Sequence, residues 1–327
     1  MQRSLRAINE KEPGERWAAV FAEMWPSYKN WFLREGGAAR PTYGASIRAL
    51  KKHMPELVPT YENLVELAGG GDLVARCLSL YCPTPYLTGC TQAVWLRDRP
   101  LLVRNYDYFP NVWEALILRT KWTGTSVVAM SDCGWGALDG VNEGGLCVSL
   151  AFGGRRVVGE GFGIPLIVRY ILETCERTEE AERILMRVPS HMAYNVTVLD
   201  RFGQHVTAYV APDHETKLSR DRVATNQQPG GEWSRYTVAT SSVERFDALN
   251  PRVAHPEETA MRFIERFRQP PIHQPLNSHG WGTLYSAVYD PENASVDYRW
   301  PTTSWRQGVE AFEEGTKNLH FPRASNW

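Results

Sequence analysis

The sequence predicts an α+β protein whose antiparallel sheets are stacked in layers. Three observations lead there. Helical spacing dominates residues 14–89, short β-rich runs begin at residue 90, and helices then interrupt the strands before two more strand runs.

In the first region, Trp17, Val20, Phe21 and Met24 fall on one helical face. Ile47, Leu50, Met54 and Leu57 repeat the pattern before Pro59. Thr60 then reads as the cap of a further helix carrying Leu64, Val65 and Leu67, stopped by Gly69-Gly70-Gly71. From residue 90, TQAVWLR and PLLVRN around Asp98-Arg99 read as a β-hairpin. The runs EALILRTK, TSVVAMS and GLCVSLAF continue in β character. Gly163-Ile164-Pro165 opens a helix to about Cys175, and Thr178 with Glu179 and Glu180 opens another. AYNVTVLD and QHVTAYVA, joined at Arg201-Phe202-Gly203, form a second hairpin. After the polar stretch VATNQQPGGEW, a helix near 257–268 leads to the strands WGTLYSAVYD and ASVDYRW.

A chain of 327 residues, 43% hydrophobic and 22% charged, suffices for one large core or two smaller ones. With 36 basic against 37 acidic residues, nothing marks a nucleic-acid groove or an anionic membrane surface. The stretch MQRSLRAINEKEPGER contains no apolar run, and no segment reaches the roughly 18 apolar residues of a membrane span. The expectation is a cytoplasmic protein. Its cysteines (Cys77, Cys82, Cys90, Cys133, Cys147 and Cys175) and scattered histidines match no metal-ligand spacing, so neither a metal nor another cofactor is expected.

The chemistry centres on Gly89-Cys90 in TGCTQAVW, where a cysteine opens a strand behind a long helical segment. As an internal residue, Cys90 reads as a small buried hydrophobe. If the Gly89–Cys90 bond breaks, its thiol gains an α-amine with a pKa of about 7.7–8.0, a usable base at neutral pH. Gly89 permits a strained turn and close approach of the thiol to its own carbonyl. The freed amine then needs a carboxylate, and the carboxylate a cation; RNYD supplies Asp107 and Arg104 on the return strand. Asn226 in VATNQQ is a candidate oxyanion donor, although an Asn in a polar loop also caps turns.

Together these residues resemble the N-terminal-nucleophile cysteine hydrolases, above all the acyl-coenzyme A:6-aminopenicillanic-acid acyltransferase family. Penicillin V acylases and choloylglycine (bile-salt) hydrolases are more distantly similar. The likeness runs through MPELVPTYENLVELAGG, GCT, RNYDY, GALDGVNEGGLCVSLAF, GIPLIVRYILETCERTEEAERIL, YNVTVLDRFG, VATNQQ and TLYSAVYDPEN. It implies a four-layer αββα sandwich and autocatalytic cleavage before Cys90. Residues 1–89 are then a helical pro-segment, kept as an associated small chain, and 90–327 the catalytic domain. Cys90 matches the nucleophile, Asp107 the amine-binding Asp, Arg104 the Arg three residues before it, and Asn226 the oxyanion Asn. Ala151 stands where many relatives carry Asn, so a donor there is a backbone N–H. Gln227 replaces a frequent His. The late-chain arginine has no clear counterpart, with Arg299 the nearest candidate.

Asn142 and Glu143 read as a turn between strands, Asn195 as a structural hydrogen-bonder, and Tyr106 and Tyr108 as core packing on the face opposite Asp107. Three functions compete. The first is an N-terminal-cysteine amide hydrolase acting on a small N-acyl amine or amino-acid amide, with acyl transfer as its variant. The second is a ligand-binding pseudoenzyme. The third is a papain-like hydrolase using His191 or His205. No phosphate loop is present, and Arg155-Arg156 is the only basic pair near the expected site, which favours water over coenzyme A as the acyl acceptor.

Overall fold

The computed structural model of the chain describes residues 1–230 and 233–321. It opens with a strand, β1 (Gln2–Glu10), in which buried Leu5 and Ala7 alternate with more exposed residues. Residues 1–89 are therefore not wholly helical, as had been expected. Only three apolar side chains, Leu5, Ala7 and Ile8, mark this strand, too few to stand out among polar neighbours.

Four helices follow: α1 (Glu15–Phe32), α2 (Tyr43–His53), α3 (Val58–Leu67) and α4 (Asp72–Leu78). The predicted apolar face of α1 is buried at Trp17, Val20 and Phe21. Helix α3 begins two residues before Thr60, because Pro59 is tolerated in a first turn, where its missing N–H has no intrahelical partner. Gly69, Gly70 and Gly71 all have positive φ, which ends α3 and starts a new direction.

Strands β2 (Gly89–Trp95) and β3 (Leu101–Tyr108) form the expected hairpin. Then come β4 (Leu116–Thr120), β5 (Val127–Asp132), β6 (Gly136–Asn142) and β7 (Cys147–Phe152), followed by α5 (Ile164–Thr174) and α6 (Thr178–Arg187). Glu180 accepts from the backbone N–H groups of Glu176 and Arg177, closing the start of α6. Next are β8 (Tyr194–Leu199), β9 (His205–Ala211), β10 (His214–Ser219) and β11 (Val223–Ala224). Helices α7 (Ser234–Ala239), α8 (Ser242–Leu249) and α9 (Ala260–Arg266) precede β12 (Gly282–Asp290) and β13 (Ser295–Arg299). Two further strands, β14 (Ser304–Gly308) and β15 (Gly315–His320), lie beyond the pair the sequence predicted.

The strands build two sheets, ordered β10-β9-β8-β7-β6-β5-β4-β1-β15 and β11-β2-β3-β12-β13-β14. All neighbours are antiparallel except β1 and β4. The sheets face one another: Gln92 on β2 reaches Ser149 on β7 and the Asn195 carbonyl on β8, while Arg104 on β3 reaches Asp139 on β6. Helices α5 and α6 cover the outer face of the nine-stranded sheet. On the other side, Phe263, Ile264 and Phe267 of the α9 region pack with Ala93, Trp95, Leu101 and Val103 of the six-stranded sheet. The result is a four-layer αββα sandwich. Helices α1–α4 lie beside α5, tied by Trp17 to the Gly134 carbonyl, Trp135 to the Leu78 carbonyl and Tyr170 to Glu56.

Candidate active site

The β2–β3 register sets Gly89 opposite Asp107, Cys90 opposite Tyr106 and Gln92 opposite Arg104. Because side chains alternate across a strand, Arg104 and Asp107, three positions apart, emerge on opposite faces. The expected Arg104–Asp107 pair is consequently not formed. Arg104 turns into the space between the sheets, where its Nη1 meets Asp139 at 2.5 Å and the Leu138 carbonyl at 2.8 Å. Its Nη2 lies 3.2 Å from the Cys90 Sγ. Tyr285 and Tyr289 also donate to Asp139, so that carboxylate is saturated with donors. Burial opposes the charge of Arg104, but Tyr285 and Asp139 hold its pKa above the ordinary value. Burial pushes the Cys90 thiol up, and Arg104 is the first group to draw it back down.

On the other face, Asp107 accepts from Thr283 at 2.7 Å through Oδ1, while its buried Oδ2 has no hydrogen-bond partner. A Cβ built on Gly89 would come within 2.9 Å of the Trp281 ring and 3.3 Å of Asp107 Oδ2. Only glycine therefore fits beside that carboxylate. The cation on this face is Arg245 of α8, 3.7 Å from Asp107 and fully buried. Arg245 donates to the Cys90 carbonyl at 2.5 Å, to Thr91 Oγ1 at 2.6 Å and to Asn226 Oδ1 at 2.8 Å. One guanidinium thus ties the Cys90 backbone to the two other candidate polar residues. Arg299, the nearest sequence candidate for a late arginine, instead pairs with Asp297 and Glu265.

Asn226 follows β11, which is itself paired to β2 at Ala93 and Gln92. Its loop is clamped by Asn195, whose Nδ2 donates to the carbonyls of Thr225 and Gln227. Asn226 Oδ1 accepts the Cys90 N–H at 2.9 Å. Its Nδ2 donates to the Phe152 carbonyl at 2.9 Å and, at 3.4 Å, to the Thr88 carbonyl. Tyr236 of α7 donates to the same Thr88 oxygen. Ala151 sits in register with Asn195 inside the nine-stranded sheet, one residue before the carbonyl that Asn226 engages.

The residues set aside have structural partners. Asn142 holds the Leu172 and Cys175 carbonyls and the Leu146 N–H. The His191 and His205 rings bond the carbonyls of Gly159 and Arg220, and the partners of the Cys90 thiol are Arg104 and Thr88. Among the described residues no group of His, Cys, Asp and Glu is placed to hold a metal ion. Also among them, no helix is long and apolar enough to cross a membrane.

Residues 95–305 match the family model for acyl-coenzyme A:6-aminopenicillanic acid acyl-transferase. The chain belongs to that family. Its members are amide hydrolases and acyltransferases of the N-terminal-nucleophile class, and this chain is an enzyme of that class. The family match spans Arg104, Asp107, Ala151, Asn226 and Arg245, while Gly89 and Cys90 lie just ahead of it. Among solved structures, a penicillin V acylase from Agrobacterium tumefaciens aligns at 16% identity and a TM-score of 0.48, covering 70% of this chain and 91% of that one. An N-acylethanolamine-hydrolyzing acid amidase ortholog from Caenorhabditis elegans aligns at 16% identity and 0.46, covering 71% and 100%. A conjugated bile acid hydrolase mutant from Clostridium perfringens aligns at 13% identity and 0.44, covering 73% and 99%. No curated protein matches the chain.

Sequence reasoning missed Arg245, Tyr236 and Thr283. Arg245 stands in SSVERFDAL among charged neighbours and reads as solvated surface; only the docking of α8 on β2 buries it.

Proposed function

We propose that this enzyme is a self-processing amide hydrolase whose Cys90, freed by cleavage of the Gly89–Cys90 bond, forms a thioester with the acyl group of a small N-acyl amine or amino-acid amide. The observation that carries this reading is the gathering of Asp107, Asn226 and Arg245 around the Cys90 backbone, with Asp107 Oδ2 buried beside Gly89, 3.7 Å from Arg245 and without a hydrogen bond. An internal peptide bond has no use for such a carboxylate; an α-ammonium does.

In processing, Cys90 Sγ attacks the Gly89 carbonyl carbon. The C–N bond breaks, the thiol proton goes to the departing nitrogen, and the glycyl group rests on sulfur as a thioester. Water hydrolyses it to a Gly89 carboxylate and a free thiol. In turnover the same sulfur attacks a substrate carbonyl, and the α-amine takes the thiol proton and delivers it to the leaving amine. Arg104 at the sulfur favours the thiolate, and Asn226 and Tyr236 supply donors to the developing oxyanion.

Acyl transfer is a second reading, favoured by the family match itself. It differs only in whether an amine or water takes the acyl group from the thioester. Denaturing mass spectrometry of the purified protein tests the processing step. The expected products are residues 1–89 and 90–327, about 10 and 27 kDa by length, with Cys90→Ala uncut and inactive. An active, unbroken chain would overturn the mechanism. Incubation with N-acyl amines should release free acid, and a predominance of new amide at modest acceptor-amine concentration would reassign the enzyme as a transferase.

A further inference from the structure

A cavity of about 840 Å³, which Cys90 does not line, lies between the N-terminal segment and the start of β4. That volume suits a small-molecule ligand. Five of its walls are aromatic: Tyr28 and Trp31 from α1, Tyr86 from the chain leading to Gly89, Tyr108 from the end of β3, and Trp113 just before β4. Glu114 and Asp132 complete it, with 6% and 9% of their surfaces exposed. Glu114 Oε1 accepts from Tyr28 and from the Gly134 N–H, but its buried Oε2 has no partner. Asp132 accepts from Tyr86 at 2.8 Å.

Four arginines lie nearby, and none of them pairs with either carboxyl. Arg3 of β1 donates to the Trp113 carbonyl, Arg6 pairs with Glu23, and Arg169 of α5 is held by Glu173, Thr120 and the Trp135 carbonyl. Arg34 stands exposed at the rim. The other groups that face the two carboxyls, Tyr28, Tyr86, Tyr108, Ser131 and Cys133, bring hydroxyls and a thiol but no positive charge. Among the described residues neither buried carboxyl of this aromatic cavity has an ion-pair partner, and burial followed by their mutual repulsion raises Glu114.

We infer that this cavity binds a small organic ammonium ion with an aryl or alkyl body. The ammonium supplies the ion-pair partner the carboxyls lack and a donor to Glu114 Oε2, and the aromatic walls add cation–π attraction while burying the body. The walls come from both sides of the Gly89–Cys90 bond, so a bound ligand bridges the two pieces that processing would create.

Full-length Cys90→Ala, which cannot turn over, isolates this site from the amidase reading. Calorimetric titration near pH 7.5 with 2-phenylethylammonium and 4-phenylbutylammonium should show saturable one-site binding of at least one of them. The neutral N-acetyl counterpart should bind about tenfold more weakly or worse. Glu114→Gln, which keeps the shape, should weaken ammonium binding by a similar factor, and Asp132→Asn likewise; if Asp132→Asn fails to fold, Glu114→Gln decides alone. No saturable binding, equal affinity for the neutral analogue, or an unchanged affinity in Glu114→Gln would each overturn the proposal.

Discussion

Asn226 and Tyr236 share a task in the uncut chain: both donate to the carbonyl oxygen of Thr88, two residues before the nucleophile. If the chain is cut after Gly89 as proposed, that carbonyl would be free to leave, exposing two preorganised donors next to Cys90. A substrate carbonyl oxygen entering there would meet them as its charge develops. Asn226→Ala should then lower the rate of the chemical step by roughly 10²–10³. Tyr236→Phe keeps the ring stacked on Trp233 and against Phe152, so its smaller loss reports the hydroxyl alone. Single-turnover kinetics at saturation check this; collapsed binding of a substrate analogue with an intact rate would instead make Asn226 a substrate anchor. The positions of Cys90, Asp107 and Asn226 were legible because each sits in a short local pattern. The partner of Asp107 was not, since Arg104 looks adjacent in RNYD while the two-residue period of a strand sends it to the other face. Burial of Arg245 and the reach of Tyr236 depend on how α7 and α8 dock, which no local pattern encodes.

At the level of elements, β1 decides the fate of residues 1–89. It is an interior strand, parallel to β4 and antiparallel to β15, so its backbone bonds are shared with both neighbours. Trp17, Phe21, Leu50, Leu64 and Leu78 from the same segment are buried in the main core. At roughly 1.5–3 kcal/mol for each fully buried apolar side chain, their withdrawal would cost as much as the whole stability of a typical domain, about 5–15 kcal/mol. After cleavage the small piece should therefore co-elute with the large one on size exclusion in native buffer at high salt, separating only in denaturant. Free passage of the small piece in native buffer would show that the strand is expelled on processing. The legibility of the elements follows the same physics. Long amphipathic helices and apolar strands such as α1, α5, β2 and β12 announced themselves. By contrast β1, β14 and β15 carry few buried side chains, and β10 is an exposed edge strand of polar residues. Their existence depends on the neighbours they pair with.

For the molecule as a whole, the cavity carboxyls leave a signature in stability against pH. Burial raises Glu114 from an ordinary 4.5 to about 8 and Asp132 from 3.8 to about 6. A carboxyl with a raised folded-state pKa holds its proton in the native state after the unfolded chain has lost it. Its stabilisation is complete below the unfolded value and is lost as pH rises through the folded one. Other buried groups act oppositely: His53, His191 and His273 are held below the usual histidine value, chiefly by burial, and favour the native state as pH rises towards 6.5. Asp98, Asp213 and Glu314 are held down by hydrogen bonds, so their contributions vanish only in acid. Between pH 6.5 and 7.5 those histidines lose their remaining protons in the unfolded chain and still favour the native state. The thiols of Cys77, Cys133, Cys147 and Cys175, held up by burial, weaken the native state as pH approaches 8.5. With a formal net charge of −1, general charge repulsion changes little there. Glu114 loses about 2 kcal/mol between pH 6.5 and 8.5, more than the roughly 1 kcal/mol that the three histidines return. The midpoint of thermal unfolding should accordingly fall by several degrees between pH 6.5 and 8.5 in Cys90→Ala, a background chosen to keep the chain uncut. Glu114→Gln in the same background should flatten that fall, because Gln has no proton to lose. A profile that is flat or rising with Glu114 present, or a fall of equal size with Gln in its place, would show that the carboxyl is already ionised in the folded protein.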